Sequence, residues 1–377
     1  MVNINQLVID GKIPSLYSYL EEIPDYRTNN HLKKYKLADL LLVMILAIMS
    51  GYCTQRQISE FCINQNGKLI TPSKSLINRT LINLDYDCFG NKVKLWLRSL
   101  ADCVGFDTVS IDGKSSNGFL TNNGKTNCDI LYTVSCYCSQ IGIVYDFCNL
   151  QGSKGSESQV ARSIINHDNI KIITGDAIHT NQFTMKQIVN SGKDYIFNAK
   201  RKGLLRSLIH QTTNMEGKVY LTKNKVATVY ELPKDFKAEN LYIYQTSKQL
   251  LKIKNVTWKD CGIKTFIKIV TKRKDKYYTR FYVSSLVNEP EFFLQKVTEH
   301  WKIENGLHLP KDKVFCEDNH FTRNLQSTCV FSCLMSLIIS IYHITVKESI
   351  KKATQKYCNR VDSCLTILGI SNTVLLE

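Results

Sequence analysis

Hydrophobic positions in the first hundred residues recur with the spacing of helices. Residues 37–49 are almost entirely apolar and predict one helix, and residues 55–62 predict a second. Ser73 is a suitable N-cap for a third helix, and residues 89–100 predict a fourth. The pattern therefore predicts a helical domain over residues 1–105. Its interspersed lysines and arginines either hold DNA ends or form the solvated face of a packing domain.

The pattern changes to that of strands after residue 106. Residues 108–111, 130–138 and 141–148 are apolar runs rich in Val, Ile, Tyr and Phe, with a hairpin turn predicted at 139–142. These three strands fit an antiparallel meander.

Strands and helices then alternate. Residues 157–166 predict a helix, 170–174 a strand, 182–190 a helix and 195–199 a strand. Gly192 follows the second helix as a normal C-terminal cap. This order fits parallel crossovers, so we expect an α/β fold with a mixed sheet and flanking helices. Ribonuclease-H-like cores have this arrangement, although other mixed sheets share it.

A lysine-rich, strand-like segment interrupts the alternation. Residues 200–289 predict a β-rich insertion. Pro290 then opens a long helix, for which Asn288 is a reasonable cap. We expect this helix to continue through Glu304 and to stop or kink at Pro310.

The longest apolar run covers residues 329–346 and is long enough to cross a membrane. Ser332, Ser336 and Ser340 form a mildly polar stripe along it. That stripe favours a buried core helix over the alternative of a membrane helix. Residues 351–377 are interpreted as a C-terminal tail.

Composition and charge narrow the class of partner. The chain has 377 residues, 44% of them hydrophobic, and a formal net charge of +16. That charge suits a polyanion, since lysines and arginines on phosphates release counterions, but membrane surfaces and acidic partners also fit. The 14 cysteines include no close Cys/His pairs typical of structural zinc. With no signal-peptide pattern at the start, we expect reduced thiols in a cytoplasmic protein.

Three carboxylates are the candidate catalytic residues. Asp112 and Asp176 each follow a predicted strand directly and stand beside a glycine. One such aspartate is usually a turn residue, but two in one sheet, followed by a helix with Glu304, favour a shared site. Phosphodiester cleavage uses two divalent cations, and magnesium prefers oxygen ligands. The three carboxylates are therefore candidate ligands for two Mg²⁺ ions, for which Mn²⁺ can substitute.

The helix around Glu304 carries further polar residues. His300, Glu304 and His308 are spaced to lie on one helical face, which Lys311 shares if the helix survives Pro310. One interpretation makes Glu304 a metal ligand and assigns the histidines and Lys311 to DNA phosphates. Alternatively, the histidines bind a transition metal, or the face is simply a polar stripe. A second acidic cluster without an assigned role follows at Asp312, Glu317 and Asp318.

Motifs spread over nearly the whole chain resemble those of one known family. The N-terminal part contributes Asp25, Tyr26, Arg27, His31, Ile58, Phe61, Pro72, Arg79, Asp85 and Trp96. The aspartate motifs contribute Ile111, Asp112, Gly113, Lys114, Gly175, Asp176, Ala177, His179 and Thr180. The most specific signature contains His300, Trp301, Ile303, Glu304, Asn305, Leu307, His308, Asp312, Phe315, Glu317, Asp318 and Arg323. The chain thereby resembles the H-repeat-associated insertion-sequence transposases, bacterial DDE transposases with a β-rich insertion.

The resemblance implies a catalytic triad of Asp112, Asp176 and Glu304 in a ribonuclease-H-like core formed by residues 106–199 and 290–350. It implies metal-dependent cleavage of double-stranded DNA at element ends and strand transfer to target DNA. A homodimer on DNA, a cytoplasmic and nucleoid-associated location and no membrane are expected. The residues expected to contact DNA are Lys114, Lys200, Lys202, His300, His308 and Lys311.

Several positions depart from the family pattern. Ser115 stands close to where an arginine is common, Asn181 replaces a glutamine, and Leu309 replaces a tryptophan. These departures concern DNA positioning more than metal binding. Two alternatives stay open: a ribonuclease-H-like nuclease without strand transfer, and a catalytically inactive DNA-binding relative.

Overall fold

The chain folds as two compact units in this computed structural model. The structure describes residues 1–28, 33–116, 131–151, 167–199, 216–231, 242–244, 250–252, 259–319 and 324–370. Unit 1 comprises Met1–Phe106, Gly113–Ser156 and Ile303–Glu377, and unit 2 comprises Asp107–Asp112 and Glu157–Lys302. The helix predicted at 157–166, Lys200 and Lys202 lie outside the described residues.

Helices and strands are numbered in chain order. The helices are α1 (Ile4–Ile9), α2 (Leu16–Glu21), α3 (Leu37–Met49), α4 (Gln55–Ile63), α5 (Lys74–Asn83), α6 (Tyr86–Val104), α7 (Gln182–Asn190), α8 (Pro290–His300), α9 (Leu309–Lys313), α10 (Leu325–Thr345), α11 (Ile350–Tyr357) and α12 (Val361–Leu368). The strands are β1 (Thr108–Ser116), β2 (Leu131–Cys138), β3 (Ile143–Gln151), β4 (Ile172–Gly175), β5 (Asp194–Asn198), β6 (Lys218–Leu221), β7 (Lys225–Glu231), β8 (Tyr242–Tyr244), β9 (Leu250–Lys252), β10 (Thr265–Arg273) and β11 (Lys276–Ser284).

Unit 1 is built around two apolar helices, α3 and α10. Residues 40–49 of α3 are completely buried, which follows from the absence of polar side chains along that stretch. Helix α5 begins where predicted, because the Ser73 side chain accepts the Leu76 N–H at 3.2 Å. Helix α6 packs against α10 and the antiparallel hairpin β2–β3. Residues 351–370 of the expected tail form α11 and α12 instead.

Helix α10 is long and apolar enough to cross a membrane by length and composition, but 89% of its most apolar 18-residue window is buried. Its serine stripe is satisfied internally. Ser336 and Ser340 each donate to the carbonyl four residues earlier at 2.8 Å. Ser340 also accepts the Val144 N–H at 3.0 Å. These contacts are those of a core helix packed on the β2–β3 hairpin.

Unit 2 contains a large mixed sheet with strand order β1-β4-β5-β11-β10-β7-β6. Strand β4 is parallel to β1 and to β5, whereas β11 pairs antiparallel with β5. The described strands β6, β7, β10 and β11 of the predicted insertion therefore continue the sheet that contains β5. Helix α8 packs on these strands through Phe293 and Val297. The predicted α/β class with a mixed sheet and helices agrees with this architecture.

The long helix after Pro290 differs from its prediction. Glu289, rather than Asn288, is the N-cap residue, and Asn288 accepts the Glu289 N–H at 2.8 Å. Helix α8 ends at His300, and a π-helical segment, Glu304–His308, precedes α9. Pro310 lies in the first turn of α9, where its missing N–H is tolerated, so the chain remains helical to Lys313.

Candidate active site

Asp112 and Asp176 lie where the parallel pairing of β1 with β4 ends: Asp112 is within β1, and Asp176 directly follows β4. Ile111 is the register partner of Gly175, so each aspartate comes one residue after a paired position. Side chains that leave adjacent parallel strands at the same level lie at one edge of the sheet. Asp112 is half-buried and Asp176 is exposed, so both carboxylates reach a solvent-accessible edge.

His300, the last residue of α8, is packed against the end of β4. Its Nδ1 lies 3.1 Å from Thr174 Oγ1, and its Nε2 lies 3.8 Å from Asp176 Oδ1. The side chain is 10% exposed, so it is held within unit 2 rather than presented to solvent. The contact places an imidazole beside the second candidate aspartate.

Glu304 opens the π-helical segment of unit 1, and its side chain is 56% exposed. His308 Nδ1 lies 3.2 Å from Glu304 Oε2. Because an ionised carboxylate only accepts hydrogen bonds, this geometry places the imidazole proton on Nδ1. His308 therefore orients Glu304, as residues beside metal-binding carboxylates commonly do.

Two lysines predicted to contact DNA lie beside acidic side chains of unit 1. Lys114 Nζ lies 2.8 Å from Asp312 and 2.7 Å from Glu317. Lys311 is 1% exposed, lies with Nζ 3.7 Å from Glu317 Oε1 and donates to Ser332 Oγ at 2.9 Å. Their contact with DNA stays a prediction, which these internal partners do not favour.

Glu317 is the buried anion that joins the two lysines. Burial alone would raise the pKa of Glu317, but Lys311 and Lys114 together lower it to about 2. Burial lowers the pKa of Lys311, and the neighbouring Glu317 opposes that effect. The sequence shows the acidic residues of this cluster but gives them no role. Their contacts with Lys114 and Lys311 become visible only in the folded chain.

The predicted common face of His300, Glu304, His308 and Lys311 is interrupted by the π-helical segment. A π turn adds one residue, which rotates the following side chains by about 100° relative to a continuous α-helix. Glu304 and His308 still contact each other, whereas Lys311 points into the core of unit 1. The transition-metal interpretation also loses support, because His300 contacts Thr174 and Asp176 while His308 contacts Glu304.

Each candidate carboxylate is a ligand that suits a hard divalent cation. Asp112 and Asp176 of unit 2 offer carboxylate oxygens. In unit 1, Glu304 offers another beside the imidazole of His308. Oxygen-rich sets of two or three carboxylates suit Mg²⁺, which keeps several of its own waters.

Comparison with known proteins finds sequences named as transposases that are similar to this chain. Residues 17–97 match the family described as DDE_Tnp_1-associated. "H repeat-associated putative transposase YhhI" from Escherichia coli K12 is 24% identical over 357 residues, which cover 88% of this chain and 90% of that protein. "Putative transposase YncI" from Escherichia coli O157:H7 is 22% identical, with 91% and 92% covered. "Putative protein YbfL" from strain K12 is 24% identical, with 88% and 90% covered.

One solved structure is also similar over most of the chain. It is a piggyBac transposase synaptic complex with hairpin DNA, 10% identical, covering 97% of this chain and 81% of that one, with a TM-score of 0.47. A likeness at this level is too weak to assign a fold.

Proposed function

We propose that this chain, a relative of the H-repeat-associated transposases, is a DDE transposase that cleaves DNA at element ends and transfers strands to target DNA. The observation that carries the proposal is the register of β1 and β4, which brings Asp112 and Asp176 to one edge of a mixed sheet. The relatives named as transposases align over about nine-tenths of the chain. A ribonuclease-H-like core, double-stranded DNA as partner and a homodimer on DNA belong to the same proposal.

Asp112, Asp176 and Glu304 would hold two Mg²⁺ ions. When bound, these ions would activate the attacking water or 3′ hydroxyl and stabilise the leaving oxygen. His308 orients Glu304 through the 3.2 Å contact, and His300 lies against Asp176. The protein's own contribution is thus to present three oriented carboxylates to the metal ions.

The hairpin β10–β11 of unit 2 is an exposed basic surface that suits a phosphate backbone. Residues 272–280 contain five basic side chains and one acidic side chain, and all of them are exposed. Tyr277 is 68% exposed and Tyr278 is 49% exposed, and Lys272 and Arg273 lie over their rings at 5.8 and 6.0 Å. Phosphate contacts of this kind position DNA without reading its sequence.

Cleavage of the DNA that flanks this gene tests the proposal. The full chain should cut a plasmid carrying both element ends in Mg²⁺, and Asp112→Ala should abolish cutting while leaving DNA binding intact. Asp168→Ala, a change at an exposed aspartate of the same unit, is the control and should cut normally. Cutting by Asp112→Ala at the wild-type rate would overturn the assignment.

A nuclease without strand transfer is the second candidate, because it would use the same three acids. An assay with pre-cut element ends distinguishes this nuclease from a transposase. Joining of their 3′ ends to a target plasmid supports a transposase, whereas cleavage activity without joining supports the nuclease.

A further inference from the structure

The π-helical segment that begins at Glu304 contains a carbonyl group that regular helix geometry cannot satisfy. In an α-helix, the Gly306 carbonyl would accept the N–H of the residue four positions later. That residue is Pro310, which has no N–H. The Leu309 N–H is used elsewhere, because it donates to the Glu304 carbonyl in the π pattern.

A histidine from another helix supplies the missing donor. His343 of α10 lies with Nε2 2.7 Å from the Gly306 carbonyl oxygen. Since a carbonyl only accepts, the proton must lie on Nε2. Burial lowers the pKa of His343, so the neutral ring is the ordinary form at neutral pH.

Two close packing contacts hold this arrangement in place. A Cβ added to Gly306 would lie 2.5 Å from Tyr137 Oη, so a larger residue there would require the segment or the tyrosine to shift. A Cβ added to Gly142 would lie 2.5 Å from the Cβ of His343, so the backbone of the β2–β3 turn fits closely against the histidine. The rings of Tyr137 and His343 meet edge to face at 6.4 Å.

We propose that His343 is a positioning residue that holds the segment Glu304–His308 in its π-helical form and so directs the Glu304 carboxylate towards the metal. This inference rests on the proposed function, because it takes Glu304 as a metal ligand. Isolated π turns occur frequently at functional sites, where the extra residue changes the direction of a side chain. If this segment relaxed to a regular α-helix, the rotation between Glu304 and α9 would change by about 100°.

Binding of Mn²⁺ alone to the full chain, followed by electron paramagnetic resonance of the free ion, tests the proposal. His343→Met removes the donor and should weaken Mn²⁺ affinity by about 10- to 100-fold, the usual effect of losing a group that orients a metal ligand. His343→Gln keeps an N–H at a similar reach and should stay within about threefold of wild type, inside the usual context dependence of such contacts. Wild-type affinity in the Met variant, or an equal loss in both variants, would overturn the proposal.

A double variant separates positioning from simple stabilisation. Adding Pro310→Ala to His343→Met restores an N–H four residues after Gly306, so thermal stability should recover. Mn²⁺ affinity should remain low, because the segment is then free to become a regular helix. Recovery of both quantities would contradict a positioning role.

Gly306→Ala provides an independent check if His343→Met fails to fold. It should weaken Mn²⁺ binding, and Tyr137→Phe, which removes the facing hydroxyl, should restore part of the loss. Unchanged affinity in Gly306→Ala would count against the proposal.

Glu304→Gln distinguishes failure of the proposed function from failure of this inference. Normal Mn²⁺ affinity in Glu304→Gln would refute the proposed function. Reduced affinity in Glu304→Gln together with normal affinity in His343→Met would refute only the role of His343.

Discussion

Ile111 of β1 and Gly175 of β4 are register partners in a parallel pair, and the two aspartates of the candidate site follow them directly. The relationship depends on close packing as well as on hydrogen bonding. A Cβ added to Gly175 would lie 2.9 Å from the His179 ring and 3.1 Å from the Phe197 ring. The end of β4 therefore has no room for a larger residue immediately before Asp176.

Gly175→Ala should lower the free energy of unfolding by about 1–3 kcal/mol, the usual cost of overpacking a buried position. Urea denaturation measures the change. Gly90→Ala in α6 is the control, because its added Cβ meets Tyr86 only at 3.5 Å. That helical substitution should be neutral or stabilising by up to about 1 kcal/mol. A Gly175→Ala protein as stable as wild type would show that His179 and Phe197 move aside more easily than their packing indicates.

The buried cluster around Glu317 predicts a specific acid sensitivity. The pKa of Glu317 is lowered to about 2, so its stabilising contribution is complete above its unfolded pKa of about 4.3 and is lost as pH falls towards 2. Glu317→Gln should lose about 3–5 kcal/mol at neutral pH, because Lys311 is left buried without its anion. It should also show a smaller further loss of stability between pH 4.3 and 2.

Chemical denaturation at a series of pH values measures both effects. Glu60→Gln, which breaks only an exposed pair with Arg56, is the matched control and should change stability by less than about 1 kcal/mol. If Glu317→Gln kept the wild-type pH dependence, the ionised carboxylate would not be the group that stabilises the cluster.

The basic hairpin β10–β11 predicts a measurable salt dependence of DNA binding. Replacing Lys272, Lys274 and Lys276 together by Gln should reduce the slope of log affinity against log salt by about 0.9 for each phosphate that the variant no longer neutralises. Fluorescence anisotropy with duplex DNA at several salt concentrations measures that slope. Lys218→Gln is the control, because Lys218 is already paired with Glu231 and Glu289 at 3.1 and 2.8 Å. An unchanged slope in the triple variant would place the DNA elsewhere.

Individual helices could be predicted because the residues that determine them are close together in the sequence. The apolar run of α3 and the Gly192 cap after α7 give helix positions that the structure reproduces. Strand pairing could not be read in the same way. The pairing of β11 with β5, for example, joins segments some eighty residues apart, and their composition alone does not show that they are neighbours.

The same limit applies to the candidate site. The two glycine-flanked aspartates stand out in the sequence because each directly follows a short apolar run. The π-helical segment does not stand out, because the spacing of Glu304 and His308 is equally that of an α-helix. The segment depends on the hydrogen bond from His343 to the Gly306 carbonyl, and these two residues are 37 positions apart in the sequence.

The positions of bound metal ions give the most direct test of the central claim. Crystals of the full chain soaked in Mn²⁺ and measured at the manganese absorption edge should show anomalous peaks within coordination distance of carboxylate oxygens of Asp112, Asp176 and Glu304. Glu304→Gln crystals should lose or weaken those peaks. Peaks bound only by other residues, or no peak at any of the three carboxylates, would contradict the account.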